Sequence, residues 1–137
     1  MKRTLVFRDL FLKSKPLTAP PAARRVKTYS AQSGFSYDYW YEGHRPYRSR
    51  GDAGTEFVFS VSAGAAGRIA ASVFLSEAAV RAWEQAHARR LSATELYALA
   101  KMSLFQAFDE RARPDLMKTP VLIRAADIEA ISETLEF

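Results

Sequence analysis

Hydrophobic and polar positions alternate from Thr28 to Glu42, with Tyr29, Ala31, Phe35, Tyr37, Tyr39 and Tyr41 on one parity and mostly polar residues on the other. A period of two with aromatic enrichment predicts a half-buried strand. The pattern returns in TEFVFSVS, residues 55 to 62, with Phe57, Phe59 and Val61 in phase, and in IAASVFL, residues 69 to 75. AGAAGR between these two segments reads as a tight turn, so the simplest arrangement is a three-stranded antiparallel meander with one covered face. In this reading Phe35, Tyr37, Tyr39 and Tyr41 belong to the core, and Trp40 is an outward aromatic that needs a cover.

The period then changes. Ser76 is placed to cap a helix running to about Arg90, with Val80, Trp83 and His87 at helical spacing and Glu77 four residues before Arg81. Ser92 and Glu95 form a capping box for a second helix, apolar over much of its circumference, that ends near Arg111 before Pro114. PVLIR, residues 120 to 124, predicts a short buried strand, and Asp127 to Leu135 a last helix. The expected fold is therefore α+β: three-stranded antiparallel meander followed by two helices, a short fourth strand and a C-terminal helix.

Before Lys27 the pattern is different. TLVFRDLFL, residues 4 to 12, is apolar, and KSKPLTAPPAARR holds three of its prolines between Lys15 and Ala22, as an extended linker would. Residues 1–27 are read as a basic, proline-containing N-terminal extension and 28–137 as a single domain. Arg8 and Asp9 interrupt the first apolar stretch, so no signal peptide is read, and no run approaches the length of a membrane span. A bacterial cytoplasmic protein with no membrane association is the expected context.

Composition adds two points. The 137 residues contain no cysteine, which removes disulfides, thiolate metal sites and cysteine nucleophiles. The net charge of +5 is unevenly spread: residues 1 to 51 carry 11 Lys and Arg against 3 acids, and residues 52 to 137 carry 9 against 12. That asymmetry points to an anionic partner.

Catalytic patterns are missing: there is no H-E-x-x-H, no phosphate-cradling glycine loop and no G-x-S-x-G. Glu84 and His87 have an E-x-x-H spacing without the second pair that a carboxylate-bridged metal centre requires. Asp38, Glu42 and His44 fall along one strand end, where solvent-facing polar residues are the simpler reading. Arg50-Gly51-Asp52 has the form of an adhesion triplet, but no export signal accompanies it. No catalytic residue, metal or cofactor is expected.

Binding is better supported. The segment from Gly43 to Gly54 reads as a long hairpin loop rich in arginine and tyrosine. Arginine forks grip phosphates and carboxylates, and both residue types stack on bases. The expected binding surface comprises Arg24, Arg25, Lys27, Trp40, Arg45, Tyr47, Arg48 and Arg50. Its expected function is non-enzymatic binding of nucleic acid with little sequence readout. The alternative is a protein–protein adaptor or regulatory subunit, using the N-terminal apolar segment and the same loop against an acidic protein, and a homo-oligomer is compatible with either.

Overall fold

Tyr37 and Phe108 stack at 4.0 Å between ring centroids, and this contact joins the two layers of the molecule. The computed structural model describes residues 16–18, 23–64 and 67–137. Among these, β1 (Lys27–Ser30), β2 (Ser36–Ser49), β3 (Asp52–Ser62) and β4 (Ile69–Ser76) form an antiparallel meander. Helices α1 (Glu77–His87) and α2 (Ala93–Glu110) and a 3₁₀ turn (Pro114–Lys118) follow. The chain then returns as β5 (Val121–Ile123), parallel to β4, and closes with α3 (Ala125–Leu135). The sheet order is β1-β2-β3-β4-β5, and the class is α+β.

One face of the sheet carries Tyr37, Tyr39, Phe57, Phe59, Val61, Ala71, Val73 and Leu75, all buried in one core with Trp83, Leu99, Leu104 and Phe108 from the helices. Each large side chain fully removed from water there contributes roughly 2–3 kcal/mol before entropy is counted. The helix ends follow the sequence signals. Ser76 accepts from the Ala79 amide at 3.4 Å, and Ser92 and Glu95 form the reciprocal capping box. Helix α1 stops at His87, earlier than expected, because Ala88 turns into the left-handed region and caps it.

The sheet has five strands where periodicity predicts four. The continuous strand expected from Thr28 to Glu42 is two strands. The Ala31 amide donates to the Phe35 carbonyl at 2.8 Å and the Gly34 amide to the Ala31 carbonyl at 3.0 Å, closing a turn between β1 and β2. Phe35 lies in that turn and is 37% exposed, so it is not a core residue.

The second correction concerns residues 43 to 54. They are not a loop: β2 and β3 continue as a paired ribbon to Ser49 and Asp52, and only Arg50 and Gly51 turn. The ribbon contains a bulge between Tyr41 and Gly43, where the register shifts. Gly43 takes φ +128°, which side-chain-bearing residues rarely adopt. The extra residue reverses the parity of everything beyond it. Trp40, Arg45 and Tyr47 consequently share the outer face, away from the helices, while His44 pairs with Phe57 on the helix side.

β1 begins at Lys27, and upstream of it Thr18 bridges to His44, with backbone hydrogen bonds of 2.6 and 3.1 Å. The apolar segment TLVFRDLFL lies outside the described residues. Among the described residues no helix is long and apolar enough to cross a membrane.

Candidate nucleic-acid interface

The outer face of β2 and β3 presents Trp40 opposite Ser60. Arg68, which precedes β4, lays its guanidinium over the indole at 3.8 Å, and Arg24 approaches the same ring at 5.4 Å. Arg68 is held in that pose by hydrogen bonds from Nε to Ser60 Oγ (2.9 Å) and from Nη2 to the carbonyls of Ser60 (3.3 Å) and Asp38 (3.4 Å). Among the described residues Arg24 has a single polar tie, from Nε to Glu42 at 3.1 Å, and its side chain is 63% exposed. A surface pair of this kind contributes little, so Arg24 can swing aside at small cost. The Trp40 indole N–H is enclosed and has no hydrogen-bond partner among the described residues.

The eight expected binding residues therefore separate into groups. Arg24 and Trp40 come together, joined by Arg68, which the sequence pattern did not single out. Arg25 is exposed beside them, just before the β1 edge. Lys27 pairs with Tyr39 in the sheet, which places it toward the helix side.

Arg45 is committed elsewhere. Its Nε and Nη2 donate to Glu56 at 2.9 and 3.3 Å, and Ser72 donates to the same carboxylate at 2.6 Å. Glu56 is only 4% exposed, so the arginine neutralises a buried carboxylate.

Tyr47 donates to Asp52 at 2.9 Å and meets Phe74 edge-on at 4.9 Å. Burial, reinforced by the Asp52 carboxylate, raises its phenol above the usual range. Asp52 also accepts from Ser76 at 3.1 Å, so the carboxylate of the Arg50-Gly51-Asp52 triplet is engaged by Tyr47 and Ser76 at the surface. Arg48 and Arg50 are exposed at the ribbon end, without an ion pair among the described residues. Period two sends Arg48 to the face opposite Tyr47. Arg24, Arg25, Arg45, Arg48 and Arg50 thus do not form one continuous face.

The candidate metal constellations do not assemble. The bulge sends Glu42 to Arg24 and His44 to Tyr41, whose hydroxyl lies 3.1 Å from the His44 Nδ1. His87 stacks on Trp83 at 4.2 Å and contacts Glu129 at 2.8 Å, while Glu84 accepts from the Leu91 amide. Among the described residues no group of His, Asp and Glu is arranged to hold a metal ion. A shallow groove of about 420 Å³ runs along the sheet's other edge, lined by Tyr47, Phe74, Ala82 and Leu122, the last 54% exposed. No protein-family model, curated protein or solved structure matches the chain.

Proposed function

We propose that this protein is a small, non-enzymatic binding module that takes single-stranded nucleic acid, with little sequence preference, on the outer face of its sheet beside β1. The observation that carries the reading is the Arg24–Trp40–Arg68 stack. It combines a large π-surface with two guanidiniums. Displacing Arg24 uncovers a platform on which a base stacks, while Arg24, Arg25 and Arg68 meet the flanking phosphates. Arg48 and Arg50, exposed at the ribbon end, add long-range positive charge but do not belong to this face. Bases of any identity have a π-face, and nothing in this arrangement reads base edges, so sequence tolerance follows.

An acidic protein could use the same arginines, and this is the rival reading. Trp40 distinguishes them, because a stacked base needs its ring and a carboxylate does not. The test is fluorescence anisotropy with labelled single-stranded RNA and DNA of mixed sequence, comparing wild type with Trp40→Ala and with Arg24→Ala/Arg68→Ala. Expected are micromolar binding at low salt and a loss of about tenfold or more in each variant, since stacking contributes about 1–3 kcal/mol per base. If Trp40→Ala binds as tightly as wild type, the stacking platform is refuted.

A further inference from the structure

A second cluster lies on the opposite side of the same sheet edge, where α2 crosses β1 and β2. Tyr97, Lys101 and Phe105 stand four residues apart on α2, so they share one face of it. That face meets the strands: Tyr97 is edge-on to Tyr41 at 4.9 Å, Phe105 edge-on to Tyr39 at 5.5 Å, and Phe105 stacks on Tyr29 at 4.3 Å. Lys101, half-way between, sets its ammonium 5.8 Å from the Phe105 ring. Lys27 pairs with Tyr39 across the β1–β2 ladder, which delivers a second ammonium to the same place.

Among the described residues neither lysine has a carboxylate within ion-pairing distance. The Tyr39 and Tyr97 hydroxyls likewise make no hydrogen bond among these residues, whereas Tyr41 is satisfied by His44. Burial, and then the Lys27 charge, hold the Lys101 ammonium below its ordinary range. Lys101, partly desolvated against the Phe105 ring, and the exposed Lys27 beside it leave a positive site without a carboxylate partner among the described residues.

We infer that Lys27 and Lys101 form a phosphoryl-binding site at the β1–α2 seam, separate from the Trp40 face. Two point-like ammonium groups, each with several N–H donors, suit a group with three terminal oxygens and up to two negative charges. A carboxylate offers only two oxygens and one charge.

The test is a titration of the full chain with inorganic phosphate, followed through the backbone amide resonances of Lys27, Tyr97 and Lys101. Parallel titrations use chloride and acetate at equal ionic strength. Saturating shifts with a Kd of about 1 mM are expected for phosphate alone. Lys101→Met and Lys27→Met should each weaken it about tenfold, whereas Lys118→Met, which removes one exposed charge elsewhere, should not. Lys27→Met alters only an exposed edge position and carries the test if Lys101→Met does not fold. Linear shifts, equal shifts with acetate, or equal weakening by Lys118→Met would overturn the assignment. The readout does not involve Trp40, so failure of nucleic-acid binding on the other face leaves this result intact.

Discussion

Arg45 is the residue whose role changes most between sequence and structure. As one arginine of a basic stretch it looks available to a phosphate, yet its guanidinium is spent on Glu56 inside the outer face. Removing it leaves a buried carboxylate with only Ser72 as a neighbour, so Arg45→Ala should destabilise the fold by about 3 kcal/mol. Arg48→Ala, at an exposed position, should change stability by less than about 0.5 kcal/mol. Urea unfolding of the two variants makes the comparison, and equal midpoints would contradict the assignment. The Arg45–Glu56 pair was not legible in the sequence because the two residues lie eleven apart across a register that alternation alone does not reveal. Arg68 was missed for the same reason: it reaches Trp40 from the start of a different strand. Trp40 itself was legible as an outward aromatic requiring a cover.

At the scale of elements, capping chemistry and period were reliable guides. Ser76, the Ser92–Glu95 box and the run from Val121 to Ile123 all form as their residues imply. Where the period breaks, the sequence became silent. The bulge at Gly43 and the turn at Ala31 to Phe35 are single-residue events inside otherwise alternating text, and each redirects the side chains that follow. Gly54 marks a further constraint. A Cβ there would overlap the Leu75 carbonyl oxygen of β4, with the Glu77 amide 3.0 Å away, so Gly54→Ala must push β3 from β4. A loss of about 1–3 kcal/mol is expected in denaturant unfolding, and a variant as stable as wild type would mean that the strands are not so closely apposed.

The start of α2 makes a pH prediction. Glu95 is held well below its ordinary 4.5, at about 2, chiefly by hydrogen bonds from Arg89 and then by the Ser92 amide. A carboxylate with a depressed folded pKa stabilises above its unfolded value and loses that contribution as pH falls toward the folded one. Stability should therefore decline between about pH 4.5 and pH 2, and Glu95→Gln should flatten that part of the profile. An unchanged profile in thermal melts would remove Glu95 from the account.

For the molecule as a whole, charge asymmetry was the most informative feature of the sequence, but it described a half-chain rather than a surface. Among the described residues, folding separates that charge. Part is neutralised at Glu56, part gathers around Trp40 on the outer face, and part faces Lys101 on the helix side. Sequence reading could nominate Arg24, Arg25, Lys27 and Trp40, but it could not tell which face each would occupy. That depends on strand pairing set by residues far along the chain.

The salt dependence of single-stranded RNA binding tests the central claim most directly. Affinity measured between about 50 and 200 mM salt should fall with a log–log slope of magnitude near 0.7 per phosphate engaged. Arg24→Ala/Arg68→Ala should reduce that magnitude by about 1.4, the share of two contacts, whereas Arg45→Ala, once corrected for its folded fraction, should leave it unchanged. No binding at the lowest salt, or a slope that the Arg24/Arg68 pair does not alter, would contradict a nucleic-acid interface centred on Trp40.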